Sequence, residues 1–320
     1  MRRLLAAAVL TAVVAGCGGG GDTEPGGRGP ETLTITSGGE GGIYFVYGAA
    51  YGKVISRHLP GFRAKTQGSP GAVENLKRLG AGQADIALTL GDTAVDAVEG
   101  RDAFSRPVKL KALAQIYRSY VHLVAAEGSG IRTLADLEGK RVSVGSPESG
   151  TRVIAARVLE LAKIDPRTDI EREQLGVAES AAALKSGALD AFFWSGGLPT
   201  SAVADLARTQ RVTMLDLRAL ARPLRQRYGG VYEDAAIPAG TYPGIDAAVP
   251  TISIPNYIVV RENMNGGLAH DLTELLFQHG KALVAAHPES RDLDPARAQR
   301  VIAPIALHTG AQQYYDRAVP

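Results

Sequence analysis

Four turns rich in glycine or hydroxyl residues have the composition and spacing that suggest chemistry, and that chemistry is the capture of an anion. Ser37-Gly38-Gly39-Glu40-Gly41-Gly42 and Gly145-Ser146-Pro147-Glu148-Ser149-Gly150 each lie between a short apolar strand and an amphipathic helix, while Gly71 and Gly176 open two further helices. The first turn of a helix leaves N–H groups without intrahelical partners and carries the positive end of the helix dipole, so a negative group is stabilised there. Helix ends near Gly41, Gly71, Ser149 and Gly176 make one side of the molecule receptive to an anion. Motifs for covalent or metal chemistry are missing: there is no G-x-S-x-G, no H-E-x-x-H and no G-x-x-x-x-G-K-[ST]. Nor is Gly38–Gly42 a dinucleotide fingerprint, because Tyr44 occupies the third glycine position. The six histidines are scattered without ligand spacing, and no carboxylate pair stands out for acid and base roles. The expectation is a binding protein with no catalytic residue, no cofactor and no metal.

The elements that must position these turns repeat along the chain. At an offset of 105 residues Gly71, Glu74, Leu79, Gly82, Asp85 and Gly91 fall on Gly176, Glu179, Leu184, Gly187, Asp190 and Gly196. Each copy reads as a helix, a glycine stop and a buried strand: Val73, Leu76 and Leu79 lead to Ile86–Leu88, and Ala181 and Leu184 lead to Ala191–Trp194. At an offset of 108 the strand Leu33–Thr36 falls on Arg141–Val144. Strands alternating with helices imply parallel sheets, so two similar halves imply two α/β lobes with ligands beyond the carboxyl ends of the strands. Thr251–Val260 reads as one more strand, with Pro255 favouring an edge or a bend over a central position. Helical segments around Leu268–Val284 and Pro295–Ile302 would return to the first lobe.

Composition narrows the class. The 320 residues are 45% hydrophobic and 21% charged, which suits an ordinary globular protein, and the single cysteine excludes a disulfide framework or a thiolate zinc site. Lys plus Arg exceeds Asp plus Glu by 35 to 33, and Arg2 and Arg3 account for the difference. Without them no broad basic field remains for a nucleic-acid backbone. Arg2 and Arg3 precede the apolar run Leu4–Val14 and then Val14-Ala15-Gly16-Cys17, an export signal. This junction resembles the lipobox of bacterial lipoproteins, which implies cleavage before Cys17 and acylation of its thiol. Residues 1–16 are then a signal peptide, 17–30 a flexible tether, and the folded protein begins near Glu31 outside the cytoplasm.

GGEGGIYF (Gly38–Phe45), GSPGAVENLKRLGAGQADIAL (Gly68–Leu88), SGIRTLADLEGKRVSVGSPESGT (Ser129–Thr151), LDAFFWSGG (Leu189–Gly197) and IPAGTYPG (Ile237–Gly244), in that order, resemble the TRAP-associated extracytoplasmic immunogenic (TAXI) family of solute receptors. The resemblance runs from about Leu33 to the C-terminus. It implies a two-lobed type II periplasmic-binding-protein fold with the ligand cleft between lobes, lobe I being 31–122 plus 252–320 and lobe II 123–251. It also implies a monomer, lipid-anchored outside the cytoplasm, that delivers a small carboxylate or amino acid to an integral-membrane TRAP permease. The ligands it suggests are of the glutamate, glutamine or 2-oxo dicarboxylate type. Matching motifs carry over Gly41, Gly42, Tyr44, Gly71, Ala72, Asp92, Ser146, Ser149, Gly150, Thr151, Trp194 and Gly197 as ligand-binding positions. Glu40 departs from the small or hydroxyl residue usual in the family.

Each position also has a purely structural reading. Gly41 and Gly42 permit close approach of a carboxylate or tight helix–strand packing. Tyr44 and Trp194 serve as ring walls or as core aromatics. Ser149 and Thr151 donate to a ligand or cap their helix, and Asp92 takes an ammonium group or caps the next segment. Glu40 or Glu148, if turned inward, would call for a positive group on the ligand. Glu74 and Glu179 are expected to serve their helix dipoles, and Asp85 and Asp190 their turns. The alternatives to a TRAP receptor are a receptor for an ATP-driven permease or a sensor kinase, and an exported enzyme on the same scaffold.

Overall fold

The computed structural model describes residues 30–319. The export signal, Cys17 and the tether up to Gly29 lie outside the described residues. Alternating patterns produce the expected order: β1 (Glu31–Thr36), α1 (Ile43–His58), β2 (Phe62–Gln67), α2 (Ala72–Gly80), β3 (Ile86–Leu90) and α3 (Gly91–Glu99). A long strand β4 (Leu110–Ala126) leads into β5 (Arg141–Ser143), α4 (Gly150–Leu161), β6 (Glu171–Glu173), α5 (Val177–Lys185), β7 (Ala191–Gly196), α6 (Ser201–Thr209), β8 (Val212–Met214), α7 (Ala221–Tyr228) and β9 (Glu233–Ile237). A second long strand, β10 (Val249–Arg261), precedes α8 (Gly266–Gln278), α9 (Gly280–Ala286), α10 (Pro295–Ala298) and α11 (Thr309–Ala318). The helix expected over Leu268–Val284 is thus two, parted at His279, which ends α8 with φ −113° and ψ 23°.

All ten strands form one curled sheet in the order β2-β1-β3-β10-β4-β7-β5-β6, with β8 on β4 and β9 on β10. Only β4 and β10 run through both halves. β4 pairs with β10 up to Tyr120 and with β7 from Tyr120 to Ala125, while β10 pairs with β9 up to Ser253 and with β3 from Asn256. Pro255 is therefore inside a central strand rather than at an edge, a correction to the sequence expectation. It is tolerated because it falls in the gap between the β9 and β3 ladders, where no N–H is needed, one residue from a bulge.

The strands alternate between two buried faces. Ala87, Leu123 and Phe193 share one core with Val73, Leu76 and Leu79 of α2 and Ile154 and Val158 of α4. On the opposite face Ile86 and Leu88 pack on Ile43, Tyr47 and Tyr51 of α1, while Val124 and Phe192 pack on Val177 and Leu184 of α5. Each lobe thereby aims one helix N-terminus at the cleft from each face of the sheet.

Candidate functional site

The turn before α1 is shaped by glycine. Gly41 adopts φ +77°, Gly42 caps the helix without a side chain, and a Cβ on Gly38 would lie 2.8 Å from Tyr44 Cβ. Gly71, at φ +142°, opens α2 likewise without a side-chain cap. In the second lobe Ser149 Oγ accepts from Arg152 N at 3.1 Å to cap α4, and Glu179 Oε2 accepts from Gly176 N at 3.0 Å at the start of α5.

These four ends surround one cavity of about 410 Å³. They meet in pairs drawn from opposite lobes. A Cβ on Gly71 would lie 3.3 Å from Ser149, and one on Gly41 would lie 3.5 Å from Ala178 of α5 and 3.3 Å from Ala202 of α6. Bonds across the rim hold the lobes together: Ser146 Oγ donates to Pro70 O (3.3 Å), Glu74 N to Glu148 O (3.0 Å), Ser201 Oγ to Gly41 O (3.3 Å) and Leu198 N to Glu289. Lys77 pairs with Glu148 at the same rim. The arrangement is closed. The free N–H groups of these helix ends favour a negative group in the cavity, although the α5 end already has the Glu179 carboxylate beside it. Among the described residues that line the cavity there is no lysine, arginine or histidine.

The walls are aromatic. Tyr44 and Tyr117 meet edge to face at 6.4 Å, and burial raises both phenols well above their ordinary pKa, so they remain neutral. Tyr44 OH donates to Asn256 Oδ1, whose amide donates to Ser119 Oγ at 2.9 Å, tying the first turn of α1 to both long strands. Trp194 spends its Nε1–H on Thr200 Oγ1 at 2.9 Å and lays its ring against Gly42, where a Cβ would lie 3.3 Å from Cη2. The indole is therefore an apolar wall with no donor left for a ligand.

A sequence model of the NMT1-like family matches residues 35–317, nearly the whole described chain. The chain belongs to the NMT1-like family. Among solved structures, the binding protein component of an ABC phosphonate transporter from Pseudomonas aeruginosa superposes with a TM-score of 0.56 at 13% identity, over 90% of this chain and 95% of that one. A protein of Bordetella bronchiseptica RB50 gives 0.54 at 17% identity, over 90% of each chain. The periplasmic aliphatic sulphonate binding protein SsuA from Escherichia coli gives 0.45 at 16%, over 91% and 84%. The α/β two-lobed periplasmic-binding-protein fold expected from the sequence is the fold this NMT1-like chain has.

Of the positions expected from the sequence, Gly42, Tyr44, Gly71, Ala72, Ser146, Ser149, Gly150, Thr151 and Trp194 line the cavity of this NMT1-like protein. Three do not. Gly41 lies just outside, in the contact with α5 and α6, and Gly197 packs on Ile43 and Glu289 between the lobes. Asp92 is wholly buried behind the wall, where it accepts from Tyr232 OH at 2.9 Å and from Thr93 N at 2.6 Å. Thr151 Oγ1 is taken by Ser195 N at 3.2 Å. Glu40 lines the cavity, whereas Glu148 turns to Lys77 at the rim. Glu179 serves Gly176 and Glu74 pairs with Arg78 at 2.8 Å, while Asp85 and Asp190 accept from Thr34 N (2.8 Å) and Arg141 N (2.9 Å) to fix their turns. Sequence reasoning missed Tyr117 and Ser119 on β4 and Asn256 behind them. Their signal was polar residues at Ser119 and Asn256 inside strands that are otherwise buried and largely apolar.

Proposed function

We propose that this protein is an extracytoplasmic solute receptor that closes its lobes, 31–122 plus 252–320 and 123–251, on a small molecule with two anionic groups. One observation carries the reading: four helix N-termini, paired across the lobes, surround a cavity lined by no cationic side chain. The α2–α4 pair comes from one face of the sheet and the α1–α5 pair from the other. That separation suits a ligand charged at both ends, with its carbon chain between Tyr44, Tyr117 and Trp194. A volume of about 410 Å³ lies in the lower part of the range of small-molecule sites and has room for a dicarboxylate. Glu40, which has no ion-pair partner among the described residues, favours an ammonium beside the acids, as in glutamate. A 2-oxo dicarboxylate fits the same two ends.

The delivery step follows the TAXI resemblance. Cys17 carries the lipid that holds the receptor at the membrane, and a TRAP permease driven by an ion gradient takes the ligand. The second reading, a receptor for an ATP-driven permease, is favoured by the fold shared with the phosphonate transporter component. Uptake in membrane vesicles separates the two: collapse of the ion gradient abolishes uptake on the first reading, and removal of ATP does so on the second.

Thermal-shift screening tests the ligand class. Glutamate, 2-oxoglutarate and glutarate are expected to raise the melting temperature, since a ligand at 100 times its Kd stabilises by about 2.7 kcal/mol. A response confined to sugars or to cations would reject it.

A further inference from the structure

The cavity wall carries a hydroxyl that the rest of the protein leaves unused. Ser195, near the end of β7, lines the cavity and is only 7% exposed, and its Oγ has no hydrogen-bond partner among the described residues. No other residue lining the cavity has a buried side-chain nitrogen or oxygen in that condition. A buried hydroxyl has given up its bonds to water, so leaving it unpaired costs stability that a partner would restore. Two observations place this one. The backbone N–H of Ser195 donates to Thr151 Oγ1 at 3.2 Å, which sets the residue beside the first turn of α4. At the offset of 105 residues Ser195 corresponds to Leu90 at the end of β3, which also lines the cavity and whose Cδ1 would lie 2.4 Å from a Cβ on Gly150. The two strand ends thus flank the same helix start, one with a leucine and the other with a hydroxyl. Leu90 shows that the scaffold fills such a place without a polar group, and the bond to Thr151 uses the main chain of Ser195. Neither role requires the hydroxyl.

We propose that Ser195 is a specificity-determining residue of the cavity: its hydroxyl donates to an oxygen of the ligand acid seated at the paired starts of α2 and α4. The inference rests on the dianion reading and adds a side-chain donor to the backbone N–H groups at that end. Helix N–H groups and the helix dipole stabilise a negative group of almost any shape. A hydroxyl held on a strand adds direction. A carboxylate offers two oxygens, one for the helix ends and one for Ser195, and a hydrogen bond to a charged acceptor is among the stronger ones.

Titration calorimetry of the intact chain with glutarate tests it. In Ser195→Ala glutarate is expected to bind at least about tenfold more weakly, the loss of one hydrogen bond to a charged group. The melting temperature of that variant without glutarate should not fall, because no bond within the protein is removed. Glutarate bound equally well by the natural protein and by Ser195→Ala would overturn the inference and leave the dianion reading standing. Failure of the natural protein to bind glutarate would overturn both. A lower melting temperature of the variant without glutarate would mean that the hydroxyl serves the fold, and would also overturn the inference. A crystal structure of the glutarate complex gives a second test: Ser195 Oγ should lie within hydrogen-bond distance of a carboxylate oxygen. A carboxylate held by backbone N–H groups alone would refute it.

Discussion

Asn75 on α2 and Ser180 on α5 occupy corresponding places in the two lobes, 105 residues apart, and both are buried. Asn75 accepts from Thr36 Oγ1 and Ser69 Oγ, each at 2.6 Å, and donates to Leu88 O at 2.7 Å and to Ser37 O. One amide thereby ties together the loops before α1 and α2. Ser180 bonds Ser143 Oγ at 2.9 Å and Leu175 O at 3.3 Å and does no more. The first lobe presents its helix ends on a side-chain-pinned frame, whereas the second caps its own with Ser149 and Glu179. The same backbone device is supported in two ways, and the lobe with fewer ties is the one better able to adjust on closure.

Substitutions at the paired helix ends should break this comparison most sharply. A Cβ at Gly150 would lie 2.4 Å from Leu90 Cδ1 and 3.2 Å from Ala72, so Gly150→Val should prevent closure and weaken ligand binding by more than about a hundredfold, read by titration calorimetry. Gly176→Ala, whose Cβ meets only Glu179 Oε2 at 3.5 Å, should bind as before. Asn75→Ala should destabilise by about 3 kcal/mol in urea unfolding and Ser180→Ala by about 1. Equal losses would mean that the two frames are equivalent.

Acid should weaken the second-lobe end of β4. His122 is buried between Tyr120 O and Tyr242 OH, and burial lowers its pKa to about 4. The unfolded chain therefore binds a proton that the folded one refuses, so stability is lost as pH falls from about 6.5 toward 4. Between pH 7 and 5 the loss is about 2 kcal/mol. His122→Gln should remove that slope in denaturation curves. At the α4 cap Ser149→Ala should cost about 1 kcal/mol of stability, as much as Ser180→Ala.

Much of this was legible in the chain. The glycine turns, the period of Val73, Leu76 and Leu79, and the repeated aspartates at Asp85 and Asp190 are local signals, and they placed strands and helix ends together. Residues whose role is set by distant partners were not legible. Asp92 is spent on Tyr232, 140 residues away, and Tyr44 is held by Asn256 at a separation of 212. Gly41 and Gly197 matter through contact between lobes, which no local pattern encodes. Pro255 suggested an edge or a bend; the strand is central, with a register shift beside Pro255, and the gap between two ladders exists only once β3 and β9 have both docked on β10.

The central claim is that paired helix ends hold two negative groups. Trp194 is the only tryptophan and lines the cavity, so its fluorescence reports occupancy directly. Titration with glutarate and with pentanoate, which differ by one carboxylate, is the most direct test. Glutarate is predicted to bind at least about tenfold more tightly, a difference of about 1.4 kcal/mol and within what one charge gains at a partly buried helix end. Equal or tighter binding of pentanoate, or no response to either acid, would contradict the account.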